Sequence, residues 1–328
     1  VHPESENVVK ALKRLTPAAR LDLDPAGPRV SVVVPVKNEE RNLPWLAGHM
    51  PAGVEEIILV DGNSVDRTVA VARELWPDVR VVHQTRKGKG NALACGFHAA
   101  RGDIIVMIDA DGSMDPGEIP YFVAALVDGA DYAKGSRFMV GGGSSDITRI
   151  RAAGNRGLNL LTNRVHRAAF SDLCYGFNAF WRAVLPALEL SPGPADGMSR
   201  WGDGFEIETL MNIRAHAAGL GVQEVASFES ERIYGQSNLR ATSDGIRVLR
   251  TIAVEAWRRT KGKGPAIRLD LIGQAQGSIS PILARSLQGD LLRSESLQEV
   301  TPGVGGALVL DPSVDADAMF TASGEASA

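Results

Sequence analysis

The sequence predicts an α/β fold with a mostly parallel central sheet flanked by helices. Three observations carry that expectation. From residue 30 onward, strand-like runs alternate with helical ones. The strand runs are continuously apolar and β-branched, the pattern of strands covered on both faces. A β-α-β-α-β-α-β order of this kind calls for right-handed crossovers within one sheet.

Taken in order, residues 7–15 predict a short helix, followed by the linker LDLDPAGP. Strands are expected at 30–36, 56–60, 79–83 and 104–108, with helices at 39–47, 66–76 and 91–100 between them. Ser64 or Asp66 is the expected cap of the second helix. Further on, the pattern predicts a helix at 117–126, a strand at 131–138, a long helix at 148–169 and a loop or short strand in DLCYGFNAFW. A helix at 205–218, a strand at 222–228 and an amphipathic helix at 242–260 complete it. The division into parts is a 1–28 arm, a catalytic domain at 29–239, a basic helix at 240–265 and a poorly ordered, Gly/Ser/Ala/Asp-rich tail at 266–328.

Composition narrows the function classes. The formal charge is 35 − 39 = −4, so no basic excess points to nucleic acid. Two cysteines, Cys95 and Cys174, form no metal framework and read as reduced thiols in a cytoplasmic protein. No run of about 18 apolar residues occurs, so no transmembrane helix is expected.

Ligands of parallel sheets bind beyond the carboxyl ends of the strands, and polar motifs sit at all four ends. They are PVKNEE, DGNSVD, QTRKGKGN and DADGS. In extended backbone Asp109 and Asp111 share a face and repel, so a cation between them is one reading and an Asp-Gly turn the other. Mg²⁺ commonly takes one or two carboxylates plus substrate phosphates. Lys87 and Lys89, flanked by glycines with exposed amides, suit a diphosphate; a solvated basic loop is the alternative. Neither a P-loop nor G-x-G-x-x-G is present.

VPVKNEE, VDGNSVDRT, KGKGNAL, IDADGS, KGSRF, DLCYGFNAF and RIYGQSNL stand in the order found in family 2 glycosyltransferases. Over roughly residues 30–239 the chain resembles the dolichyl-phosphate mannose synthase-like and polyprenyl-phosphate glycosyltransferase branch. The resemblance implies a GT-A fold, Rossmann-like, and an inverting transfer of a hexose from a GDP-mannose or UDP-glucose type donor to a polyprenyl or dolichyl phosphate. It places Pro35, Glu39 and Asp61 in the nucleoside pocket, with Asp66 shaping the loop. Asp109 and Asp111 would hold Mg²⁺ or Mn²⁺ on the donor phosphates, Asp111 directly and Asp109 through water or the donor. Arg137 and Arg232 would grip acceptor phosphate by their planar forks, with Ser237 as a further donor. Three positions depart from the common pattern: Gly62 for a second Asp, Ser113 for Gln, and Asn238 for Lys.

A phosphate acceptor is anionic near neutral pH, with a second pKa of about 6, and needs positioning more than a base. A hydroxyl acceptor needs a carboxylate within reach. Asp172, followed by Cys174-Tyr175-Gly176-Phe177, matches an Asp in the family's acceptor loop, and that resemblance ranks it first for an acceptor-site role, as base or organiser, ahead of Asp203, Glu206 and Glu208. The last two lie two apart on a helix and cannot share a face, so one is expected solvated and the other structural. Residues 240–263 carry 7 − 2 = +5. That helix either contacts the inner face of an anionic membrane peripherally or packs on the catalytic domain. A hydroxyl acceptor, or a non-catalytic nucleotide-sugar-binding module, are the alternatives to the lipid-phosphate reading.

Overall fold

The computed structural model describes residues 27–195, 199–235 and 241–261. The helix expected at 7–15, the 266–328 tail, Ser237 and Asn238 lie outside the described residues.

One sheet of seven strands forms the centre: β1 (Val30–Val36), β2 (Glu56–Asp61), β3 (Arg80–His83), β4 (Ile104–Met107), β5 (Tyr132–Ser136), β7 (Asn178–Trp181) and β8 (Val222–Ala226). Their order is β3-β2-β1-β4-β7-β5-β8. The expected mostly parallel sheet is observed; β7 alone runs antiparallel, to both β4 and β5. The register levels the carboxyl ends, with Val36 opposite Asp61 and Asp61 opposite His83. A two-stranded parallel annex pairs β6 (Gly143–Ser144) with β9 (Phe228–Glu229).

Alternation along β1 divides the core. Val32, Val34 and Val36 face one layer with Leu43, Leu46, Phe122 and Leu126. Val33 faces the other with Leu93, Phe97, Ile207 and Leu210. The first layer is covered by α1 (Leu43–His49) and α4 (Ile119–Val127), the second by α3 (Lys89–Ala99) and α7 (Ile207–Ala217). The remaining helices are α2 (Thr68–Leu75), α5 (Arg149–His166), α6 (Leu185–Leu188) and α8 (Ala241–Thr260).

The first helix starts later than the sequence pattern predicts. Asn38 is left-handed (φ 61°), and the Glu39 and Glu40 amides bond to Thr68 Oγ1 (2.8 Å) and Asp66 Oδ2 (3.3 Å) in the next loop. The helix forms only at Leu43, with Pro44 in its first turn. Asp66 Oδ1 does accept from the Thr68 amide at the start of α2 (3.0 Å).

Helix α3 starts earlier than expected, at Lys89, and the reason lies far away in sequence. The amides of Gly90 and Asn91 donate to the Asp203 carbonyl at 2.8 and 3.4 Å. Two of the amides expected free in this loop, those of Gly90 and Asn91, are therefore engaged, because the 202–203 backbone caps the helix. Arg86 fixes that backbone with a buried two-pronged pair to Asp203 (Nε–Oδ2 2.8 Å, Nη2–Oδ1 2.7 Å). A Cβ on Gly90 would collide with the Gly202 carbonyl oxygen. Gly90→Ala is accordingly expected to lose about 1–3 kcal/mol, read as a lowered Tm; an unchanged Tm would contradict this docking.

Candidate active site

The four strand-end loops are tied to one another by short polar contacts. Asn38 Oδ1 accepts from the Val65 amide (2.8 Å), and the Asn38 amide donates to Ser64 Oγ (3.0 Å). Asp61 is buried, and its Oδ1 accepts from the Ser64 amide (3.0 Å). Pro35 is half-buried near the end of β1, opposite Val60. Lys87 is exposed at the rim.

The DADGS loop lies between two cations supplied from elsewhere. Lys89 Nζ sits 2.7 Å from Asp109 Oδ1 and 2.8 Å from Glu208 Oε1. Burial opposes its charge, but the Asp109 and Glu208 carboxylates outweigh that and hold the ammonium above its ordinary range. Arg232 Nη2 lies 2.7 Å from Asp111 Oδ2, while Asp111 Oδ1 accepts from the Ser113 amide (2.9 Å). Glu39 stands close enough that Asp111, Asp109 and Arg232 all act on it; burial is the larger influence, and its carboxyl is raised.

A returning segment covers this loop. After β9, the Ser230 amide donates to the Ser113 carbonyl (2.8 Å) and the Ile233 amide to the Asp111 carbonyl (3.1 Å). The Ile233 side chain rests where Gly112 has no Cβ. Tyr234 stacks under the Arg41 guanidinium (4.0 Å to the ring centroid), and its carbonyl accepts from Asn42 (3.3 Å). Residues 230–234 thus bridge the Arg41-Asn42 pair that follows PVKNEE and the DADGS loop.

A second cluster surrounds Arg137. Its Nε and Nη2 donate to Asp172 Oδ2 (2.7 Å) and Oδ1 (3.0 Å), and its Nη1 to Glu229 Oε2 (2.9 Å). Asp172 is fully buried and also accepts from Asn155 Nδ2 (3.0 Å). Burial would raise its pKa, but the Arg137 fork and the Lys134 ammonium outweigh that and lower it. The stabilisation is then present above the ordinary aspartate value of about 3.9 and lost as pH falls through the lower folded value. Tm curves of wild type and Asp172→Asn are expected to converge below about pH 4; parallel curves would refute the coupling.

The structure thus gathers Glu39, Asp109, Asp111, Lys89 and Arg232 at one spot, and Arg137 with Asp172 at another. Glu229 links the two, since its backbone pairs with Met114 beside the DADGS loop. Of the other candidate carboxylates, Asp203 is held by Arg86, and Glu206 Oε1 accepts from the amides of Gly202 (3.1 Å) and Gly204 (3.4 Å). The expectation that one of Glu206 and Glu208 is solvated is corrected: both are buried, one shaping a glycine loop and the other facing Lys89. Glu229 escapes sequence reasoning, because nothing local marks a glutamate whose partner lies 92 residues away. The pairing of Lys89 with Glu208 is equally hidden.

Among the described residues no group of three or more His, Cys, Asp or Glu side chains is placed to hold an ion by itself. Two carboxylates on one short loop still fit a hard divalent cation whose remaining ligands are phosphates and water. Arg232 and Lys89 balance those carboxylates in this structure.

Comparison with known proteins agrees with this architecture. Residues 31–188 match the family model "Glycosyl transferase family 2". An uncharacterized glycosyltransferase of Mycobacterium tuberculosis is 34% identical over 220 residues, covering 67% of this chain and 94% of that protein. Polyprenol monophosphomannose synthase of Mycolicibacterium smegmatis is 33% identical, covering 66% and 82%. The crystal structure of M. tuberculosis glucosyl-3-phosphoglycerate synthase with Mn²⁺, UDP-glucose and phosphoglyceric acid aligns with a TM-score of 0.55 at 23% identity, covering 73% and 82%. That likeness extends to the fold, the GT-A arrangement of a mostly parallel sheet with helices on both faces. Motif order, sheet-edge geometry and these matches converge: the chain belongs to the family 2 glycosyltransferases, and it is a transferase.

Proposed function

We propose that this enzyme moves a hexose from a nucleotide-diphosphate sugar to a polyprenyl phosphate, with a divalent cation at Asp109 and Asp111. The observation that carries the reading is the DADGS loop at the carboxyl edge of the sheet, each aspartate faced by a cation from another element. Such an arrangement is poised to exchange the Arg232–Asp111 pairing for a metal–diphosphate. The named activity of the M. smegmatis relative supports the lipid-phosphate acceptor. The M. tuberculosis synthase, crystallised in complex with Mn²⁺ and UDP-glucose, supports the metal and the donor class.

When bound, Mg²⁺ or Mn²⁺ would supply charge neutralisation on the leaving diphosphate. The protein's own groups do the rest. Lys89 keeps Asp109 oriented, and Glu208 keeps Lys89 in place. Arg232, released from Asp111, turns its fork to phosphate. Pro35, Glu39 and Asp61 line the nucleoside end, and Lys87 adds a cation at the rim. Asp172 acts as organiser rather than base, since both its oxygens are occupied and none of its surface is exposed. An anionic acceptor requires no base at that position. A peripheral position at the inner face of a membrane follows from a lipid acceptor.

A hydroxyl acceptor is the second reading, favoured by one observation: Arg137 already faces two carboxylates, Asp172 and Glu229. Incubation with radiolabelled GDP-mannose or UDP-glucose, Mn²⁺ and polyprenyl phosphate separates the two. Metal-dependent label in the organic phase is expected. Label transferred only to a water-soluble acceptor would replace the first reading with the second.

A further inference from the structure

Helix α5 is built inside out. Its inner face is polar: Asn155, Asn159 and Asn163 stand four residues apart and hold residues 170–173. Asn159 Oδ1 accepts from the Leu173 amide (2.7 Å), Asn163 Oδ1 from the Phe170 amide (2.9 Å), and Asn155 Nδ2 donates to Asp172. The outer face is apolar instead. Ile150, Leu160, Leu161 and Val165 are 85, 73, 40 and 36% exposed. Gly154 and Gly157 on the same face have open space where a side chain would stand. A surface helix normally shows the opposite arrangement.

Arginines line one edge of that face and interrupt it. Arg149, Arg156 and Arg164 are exposed, and α5 contains no acidic residue. Helix α8 packs beside it, with Ile252 carbonyl against His166 Nε2 (3.1 Å) and Arg259 Nη1 donating to the His166 carbonyl (3.1 Å). The expected amphipathic character of α8 resolves in the same sense. Val248 and Ile252 face inward, whereas Ile246, Leu249 and Trp257 are exposed. Its two acids, Asp244 and Glu255, are buried. Eight arginines against two acids give the helix pair 8 − 2 = +6, and counting Asp146 and Glu189, which pair with Arg151 and Arg258, leaves 6 − 2 = +4, in a chain whose net charge is −4. Half of the exposed large apolar side chains among the described residues, seven of fourteen, fall on these two helices.

We infer that the outer face of α5, with α8 beside it, is a docking surface for an anionic lipid bilayer. Apolar side chains interspersed with arginines match the acyl–headgroup boundary of such a membrane. A second copy of the chain would bring the same positive charge against itself, which disfavours self-association there. The placement also has a use. The inner face of α5 holds Asp172, which holds Arg137, so a bilayer on the outer face lies one helix thickness from the acceptor-side cluster, about 10–12 Å. The inference rests on the lipid-acceptor reading for that purpose only.

Sedimentation of the full chain with vesicles tests it, in the absence of donor and acceptor, so that a failed transfer assay and a failed docking assay remain separate. Binding is expected to phosphatidylcholine vesicles containing phosphatidylglycerol, to weaken with salt, and to be absent for pure phosphatidylcholine. Leu160→Glu with Leu161→Glu, and separately Arg156→Glu with Arg164→Glu, are each expected to reduce binding by about tenfold or more, with circular dichroism unchanged. Should the leucine pair fail to fold, the arginine pair decides. No binding of the wild type, equal binding by a folded variant, or a dimer that the leucine variant dissociates would overturn the proposal.

Discussion

Replacing Arg137 by methionine is expected to cost about 3–5 kcal/mol of stability, a fall in Tm of roughly 10 °C for a domain of this size. The size of the effect comes from what is left behind. Asp172 is fully buried and Glu229 nearly so, and both aim their carboxylates at the same guanidinium. Removing the guanidinium leaves Asp172 with Asn155, the residue-137 amide and the more distant Lys134 ammonium, and Glu229 with Ser144. Arg137→Lys would keep the charge and lose the fork, so an intermediate Tm is expected. Transfer should collapse in both variants while metal-dependent nucleotide binding persists, because Arg137 touches none of the DADGS residues. A Tm within a degree or so of wild type for the methionine variant would show that these carboxylates do not depend on it.

Asp111→Asn is expected to do the reverse. Lewis-acid neutralisation of a leaving diphosphate is worth several kcal/mol, so loss of a direct ligand should lower kcat/KM by about 100- to 1000-fold. Stability should barely move. Asp111 is itself buried, but the Arg232 side chain is 28% exposed and stays solvated when its partner is neutralised, so the loss is limited to about 1 kcal/mol. The neutral amide also relieves repulsion from Glu39, whose carboxyl is raised in part by Asp111. Circular dichroism melts together with initial rates at saturating Mn²⁺ check both halves. A fold that melts far below wild type, or a rate within about tenfold of it, would remove Asp111 from the proposed metal site.

These contrasting variants show why parts of the molecule are legible in sequence and others are not. Strands β1, β2 and β4 are legible because a parallel strand buried on both faces must be apolar throughout, as Val30–Val36 is apart from Ser31 and Pro35. Their order alone places four polar loops on one edge. Contacts that span the chain leave no such trace. The Asp203 carbonyl caps α3, Arg232 neutralises Asp111, and Glu229 shares Arg137 with Asp172; each depends on tertiary return of a loop. The inverted α5 is an intermediate case. Asparagines at 155, 159 and 163 repeat every four residues, so the polar residues, followed as closely as the apolar ones, mark which face turns inward.

The central claim is that the DADGS loop at the sheet edge holds a divalent cation and a nucleoside diphosphate together. Calorimetric titration of the full chain with GDP and with UDP, in Mn²⁺ and in EDTA, tests it most directly. Saturable binding of one of them is expected in Mn²⁺, lost in EDTA and lost in Asp111→Asn. Binding of equal strength with and without metal, or in wild type and variant alike, would contradict the account.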